Sequence, residues 1–319
     1  SLDGRLRPKL SSNTVPAWCL WLLRLQVGIV YFYGGIAKLN GDWLRGEPIR
    51  EWMANRSDYP LVGQWINTEL TVWFISYGGL IFDLAIVPLL LWRKTRPWAF
   101  AVSVVFHVAN GALFDIGPFP IFMVAGSLLM FPPDWPRKVF LFFAPLRDDS
   151  NENAEASTIP ASRQGVTEAI LVGYVAIQLL VPFRHFLYPG NVHWTEEGIQ
   201  FSWHMMLRQK NAATRFYVKD LSSGETWLAD QREYLTERQL KMLDGKPDLC
   251  IQFVHFLVGE LKKEGHEEVE IRVRCISSLN SRRPQDLYDG AFVLSREPRT
   301  LGHAEWILPL EKARTVSEE

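Results

Sequence analysis

The sequence predicts a mainly α protein: a multi-pass transmembrane helix bundle followed by a small extramembrane α+β domain. Three observations predict it. Five apolar stretches lie before residue 190, most of them close to the ~20 residues that cross ~30 Å of hydrocarbon at ~1.5 Å per residue. Charge is unevenly spread: residues 1–190 hold 30 of the 69 charged side chains and residues 191–319 hold 39, about 16% and about 30% of each segment. After residue 200 the apolar positions alternate, or recur at helical spacing, over the short lengths of a soluble domain. The expected domains are therefore 1–190 and 191–319.

The stretches follow in order. The first, about Pro16 to Ile36, has Arg24 as its one charge and runs into Lys38. The second, Thr71 to Trp92, has only Asp83, which reads as a bundle-interior partner for Arg24. The third, about Pro97 to Asp115, contains His107 and Asn110. The fourth, about Phe119 to Phe131, forms a hairpin with the third through Gly117-Pro118; its shortness is met by tilt or by continuation into Val139–Ala144. The fifth runs from about Glu168 to Leu187 and ends in Arg184-His185. Basic residues mark the cytoplasmic side. Arg5, Arg7 and Lys9, then Arg93-Lys94-Thr95-Arg96, then Arg137, Lys138, Arg147 and Arg163, are consistent with about five crossings. They place loop 40–70 and the C-terminal domain on the non-cytoplasmic side. Lys38, Asn110, Asp115 and His185 then fall near the same face of the bilayer, with His107 about two turns deeper.

In the C-terminal region, 200–207, 215–219 and Glu225–Leu228 read as strands, the last two joined through Ser222-Ser223-Gly224. Thr236 opens a helical pattern broken near Gly245 to Pro247. Val269–Cys275 alternates as a half-buried strand, and Ala304–Leu310 as another. Asp148–Arg163 is a polar loop.

Composition excludes several classes. Lys+Arg 34 against Asp+Glu 35 leaves no basic footprint, so no nucleic-acid partner is expected. A hydrophobic content of 48% excludes a disordered chain. Cys19, Cys250 and Cys275 form no Cys-x-x-Cys and no disulfide scaffold; Cys250 and Cys275 read as free buried thiols, with a mutual bridge as the alternative. No metal site is expected, since His185 and His193 are eight apart with Pro189-Gly190 between them. Asn55-Arg56-Ser57 is a glycosylation triplet, a weak signal.

Lys38 is the main candidate. A lysine at a helix end either snorkels to the interface or turns inward, where a dry amine can serve as a general base. Gly34-Gly35 before it would let a flat ligand approach the backbone. His107 and Asn110, three apart, share a helix face and can act as ligands or as inter-helix hydrogen bonds. His185 alone reads as an interface histidine.

The run Val30-Tyr31-Phe32, then Gly35-Ile36-Ala37-Lys38-Leu39-Asn40-Gly41-Asp42-Trp43, closely resembles the signature of the vitamin K-dependent gamma-glutamyl carboxylases and their bacterial-type HTTM-domain homologues. Three more blocks agree in order. They are Phe106-His107 with Asn110, Leu113-Phe114, Ile116-Gly117 and Phe119; then Pro133-Asp134-Trp135-Pro136-Arg137-Lys138; then His185-Phe186-Leu187 with Asn191, Trp194-Thr195, Ser202-Trp203 and Met205-Met206. Ser1-Leu2-Asp3-Gly4 is similar to an internal block of that family. The likeness therefore reads as an N-terminally truncated member that lacks earlier helices bearing a histidine and an asparagine of the active site. Asp289-Gly290-Ala291 departs from the family pattern near the substrate-docking region.

The resemblance implies an enzyme in which a lysine deprotonates vitamin K hydroquinone. Reaction with O₂ then yields a strong base that removes a glutamate gamma proton, and the carbanion takes up CO₂. It implies catalytic roles for Lys38, His107 and His185. It implies quinone contacts from Tyr31, Asn110, Trp203, Met205 and Met206, and substrate binding by Arg282, with a folding role for Arg282 as the alternative. It also implies a glutamate-containing peptide or protein as partner, in a lipid bilayer. The alternatives are a homologue that epoxidises the quinone without carboxylation, or a non-catalytic membrane receptor or assembly module. A transporter is disfavoured, because five crossings show no inverted repeat.

Overall fold

A computed structural model of the chain describes residues 15–54, 56, 63–114, 116–143 and 161–311. Expectations resting on residues 1–9, Asn55, Ser57, Asp115, Arg147 and the 144–160 loop fall outside these. In chain order the described helices are α1 (Ala17–Ala37), α2 (Gly41–Leu44), α3 (Ile49–Ala54), α4 (Gly63–Ile66), α5 (Glu69–Leu91), α6 (Arg96–Leu113), α7 (Phe119–Ser127), α8 (Trp135–Phe143), α9 (Ala161–Leu180), α10 (Val192–Thr195), α11 (Glu237–Leu243) and α12 (Pro247–Lys263). The strands are β1 (Lys210–Asp220), β2 (Thr226–Leu228), β3 (Val269–Leu279) and β4 (Gln285–Asp286). The molecule is thus mainly helical, with a small antiparallel sheet after the helices.

Packing divides the chain into two compact units. One holds the residues up to Ile36 with Gly79–Leu180; the other holds Ala37–Gly78 with the chain from Val181 onward. The expected boundary at 190 rests on hydropathy. The packing division instead groups the 40–70 loop with the C-terminal region.

Among the described residues, three helices are long and apolar enough to cross a membrane: Ala17–Ala37, Glu69–Leu91 and Gly165–Leu187. Their outer faces carry uncovered Trp21, Phe32, Phe74, Ile81, Val172 and Leu180, which suits a hydrocarbon surround. This is a membrane protein. The other two expected crossings are not in that set. Helix α6, 18 residues long, carries Arg96, Ser103, His107 and Asn110, which lower its hydropathy. The apolar helix Phe119–Met130 is shorter still. These two pack on each other as the expected hairpin, around Gly117 at φ +58°. The fourth stretch does not continue past Met130. Pro132-Pro133 interrupts it and α8 starts afresh at Trp135.

The first unit has its own core of Tyr31, Phe82, Ile86, Leu90, Ala99, Met123 and Met130. Phe82 and Phe106 stack with centroids 3.7 Å apart. Arg24 does not pair with Asp83. It donates to the carbonyls of Leu129 (2.9 Å) and Phe131 (3.0 Å), which satisfies orphan acceptors at a helix end. Gly34 and Gly35 face α5 rather than a ligand: a Cβ on Gly35 would lie 2.6 Å from a Leu84 methyl carbon. Small residues here let two apolar helices approach closely.

The second unit is built on the sheet order β2-β1-β3-β4, all antiparallel, with Lys210 opposite Leu279 and Asp220 opposite Val269. Alternate residues of β1 and β3 (Phe216, Val218, Ile271, Val273, Cys275) point into a core closed by Cys250, Val254 and Leu257 of α12. Cys250 and Cys275 are free thiols in that core. Thr236 caps α11 in a reciprocal box with Gln239. Two strand expectations fail. Residues 200–207 form turns with positive φ at Phe201, Trp203 and Met206, which no ladder accommodates. The 304–310 segment contributes a single bridge, Tyr288 to Ile307.

Candidate active site

In the first unit, His107 is 3% exposed on α6. Its Nε2 lies 2.7 Å from the Tyr31 hydroxyl of α1, among the rings of Phe82, Phe106 and Phe119. Its Nδ1 is buried without a hydrogen-bond partner. Asn110 lies one turn on, half-buried, with its carbonyl accepting from Phe114 N–H. Of the expected residues, this unit therefore joins Tyr31 to His107.

In the second unit, Lys38 is half-buried in the turn that follows α1, with Nζ 5.3 Å from the centre of the Trp43 ring. The local sequence explains the turn. Asn40 donates back to Ala37 C=O and accepts from the N–H groups of Asp42 and Trp43, so it ends one helix and starts the next. Trp43 is fixed twice, donating Nε1–H to Ser76 C=O while Ser76 Oγ donates to its own carbonyl. Beside it, Asp42 is 6% exposed and takes two bonds from Arg282 and one from Asn280. Burial pushes the Asp42 carboxyl up, but these donors and Arg45 overcome that and hold it below the usual carboxylate range. Arg282 is thus tied to the segment that carries Lys38.

The same unit gathers three imidazoles. His204 lies between His185 and His193, with ring centroids 4.7 and 5.1 Å away. Burial, then the neighbouring His185, lowers His204 to about 4. Burial, then His204 and Arg208, lowers His193 to about 3. Both rings are therefore neutral at pH 7. Gly198, at φ +69°, makes this approach possible, since a Cβ there would sit 2.6 Å from the Cα of His185. Trp203 is half-buried, while Met205 and Met206 are 36% and 41% exposed. Phe201 is 74% exposed. In the same unit, Glu196 forms ion pairs with Arg208 (3.0 Å) and Lys210 (3.4 Å), and burial lowers the Lys210 amine to about 8.

Sequence reasoning missed His204, Asp42 and Asn280. A strand over 200–207 gives His204 no special place. The available signal was three histidines at 185, 193 and 204 around a Pro-Gly turn. Among the described residues, no group of three or more His, Cys, Asp or Glu is arranged to hold a metal ion.

Comparison with known families covers most of the chain. The HTTM domain profile matches residues 1–135. The profile described as vitamin K-dependent gamma-carboxylase, lumenal domain, matches residues 163–313. No solved structure matches the chain.

Proposed function

The chain belongs to the vitamin K-dependent gamma-carboxylase family, and from that premise we propose that it is a membrane enzyme coupling oxygenation of a vitamin K hydroquinone, to the epoxide, with carboxylation of glutamate in a peptide or protein. The co-substrates in this reading are the hydroquinone, O₂ and CO₂. Its domains are a helical one over residues 1–190 and an α+β one over residues 191–319, the latter on the non-cytoplasmic side.

One observation carries the reading. Lys38, which matches the family's lysine base, sits half-buried where an apolar 21-residue helix ends, its amine over an indole face. Trp43 sets where the amine lies, and the paired bonds with Ser76 hold Trp43 in turn. Such fixed placement is what a general base needs. Trp203, Met205 and Met206 leave apolar surface uncovered beside His185 and His204, which suits a flat apolar ring. Bound there with O₂, the hydroquinone supplies an oxygen base stronger than any side chain. His107 with Tyr31 and Asn110 serves the same chemistry from the helical domain. Arg282, held by Asp42, is the cation of the outer domain for an anionic substrate.

The test is Lys38→Ala, assayed in membranes with vitamin K hydroquinone and a glutamyl peptide. Epoxide formation is expected to fall by about 10²-fold or more. Undiminished epoxide rejects Lys38 as the base. Labelled CO₂ in the peptide separates carboxylation from epoxidation alone.

A further inference from the structure

The second unit holds a cavity of about 760 Å³, chiefly between residues 184–201, the start of α12 and the segment 292–307. Small-molecule sites typically span ~300–1,000 Å³. Lys38, His185, Arg282 and the residues read above as hydroquinone contacts are not among those that line it. Its walls include Phe201, Leu249, Phe292 and Trp306. Most of its charged groups are already matched. Glu197 accepts from Ala304 N–H at 2.8 Å and lies 3.0 Å from His303 Nδ1. Arg299 holds Asp248 with two nitrogens, at 2.8 and 3.0 Å. Glu196 pairs with Arg208 and Lys210. Arg184 is the exception. It sits half-buried in the turn Val181–Leu187 that follows α9, and its Nε is buried without a hydrogen-bond partner.

We propose that this cavity is a separate ligand site for an aromatic carboxylate, with the carboxylate on Arg184 and the ring among Phe201, Phe292 and Trp306. A buried N–H left without an acceptor costs free energy, which an acceptor on a ligand recovers. The Nε–H and a neighbouring Nη–H of a guanidinium form a planar fork whose two donors match the two oxygens of one carboxylate. Lys246, half-buried where α12 begins, has no ion pair among the described residues and adds a second cation to the lining. Two anions, Glu297 and Glu305, also border the cavity. Glu305 is exposed, where water screens it, and neither carboxylate satisfies the Arg184 Nε. Phe201, 74% exposed, offers an uncovered ring face against which a flat body can stack.

The test needs no turnover, so a failure of the carboxylase reading leaves it untouched. The full chain in zwitterionic lipid nanodiscs is dialysed to equilibrium against 2-naphthoate or 2-naphthamide, which has the same ring and no charge, and empty nanodiscs are subtracted. The wild type should bind 2-naphthoate about tenfold more tightly than the amide, the equivalent of one charge-assisted hydrogen bond. Arg184→Gln should bring the ratio close to one while amide binding persists, which marks an intact cavity. Arg184→Lys keeps the charge without the fork and should fall between the two. A wild-type ratio of one, or an unchanged ratio in Arg184→Gln, overturns the site. N-acetylglutamate at equal concentration should not displace 2-naphthoate. If it does, the cavity belongs to recognition of the glutamyl substrate and the separate site is overturned. Decanoate that displaces 2-naphthoate at lower concentration than 2-naphthoate itself overturns the aromatic body.

Discussion

Arg282 holds Asp42 with two guanidinium nitrogens, at 2.6 and 2.8 Å, across 240 positions of sequence. Asp42 and Arg282 have side chains 8% and 20% exposed, so water screens the pair weakly. Removing one partner of such a pair leaves a buried charge and typically costs about 3–5 kcal/mol. Asp42→Asn should therefore lower the stability of the second unit by about 3 kcal/mol, read as a fall in the melting temperature. Arg282→Lys keeps the charge and loses the two-pronged geometry, so its loss should be smaller. Because the Asp42 carboxyl is held below its unfolded value, its contribution is present above about pH 4. It is lost as pH falls through the folded value. An Asp42→Asn protein that melts with the wild type would show that the clamp contributes nothing.

Gly198 is required twice, by its φ of +69° and by the 2.6 Å that a Cβ would have to the Cα of His185. The obstacle is backbone, which cannot swing aside as a side-chain tip can. Gly198→Ala should push the 198–206 loop off His185 and cost more than the ~1 kcal/mol of the conformational strain alone. The informative readout is the melting temperature, which should fall in Gly198→Ala. Gly224→Ala also carries a positive φ, +77°, but has open space around it, so its fall should be smaller and reflect the strain alone. Equal effects from the two substitutions would mean that the close approach of Gly198 to the His185 backbone adds nothing to the strain of a positive φ.

The helices were legible because an apolar run of about 20 residues has few other fates, and the soluble domain because β1 and β3 alternate cleanly. Three features were not. Helix α6 mixes Arg96, Ser103, His107 and Asn110 into an apolar run, so its composition falls short of a span although its apolar positions suggest one. The Asp42–Arg282 clamp joins segments 240 residues apart, and no local pattern encodes that. His204 sits in a loop whose left-handed residues are Phe201, Trp203 and Met206 in place of glycines, so the turn leaves no mark in the sequence. Lys38 was legible as a candidate from its position after α1, but Trp43 as its support was not.

Tyr31 and His107 meet at 2.7 Å within an aromatic shell, and the far nitrogen of His107 already lacks a partner. Tyr31→Phe would leave the ring with no hydrogen bond at all. A buried polar group stranded in this way costs about 1–3 kcal/mol. The helical unit should lose about that much stability, measured by urea unfolding in detergent. His107→Leu paired with Tyr31→Phe removes both polar groups and should recover some of the loss, as a double-mutant cycle reads directly. Additive effects in that cycle would show that the two side chains do not interact.

Asp220 closes the turn after β1 by accepting from Ser222 and Ser223 N–H, while His266 Nδ1 lies 2.6 Å from its other oxygen. The His266 bond is the largest influence and the two N–H groups add to it; together they push the Asp220 carboxyl down to about 2. A depressed carboxylate stabilises the fold fully above its unfolded value near 4, and the contribution disappears as pH drops toward 2. The melting temperature of wild type should therefore exceed that of Asp220→Asn at about pH 5 to 7. The gap should narrow below about pH 4 and close near pH 2. Differences taken at each pH cancel the many other carboxylates that titrate in this range. A gap that stays constant from about pH 6 to about pH 2 would show that the ionised carboxylate does not hold the turn.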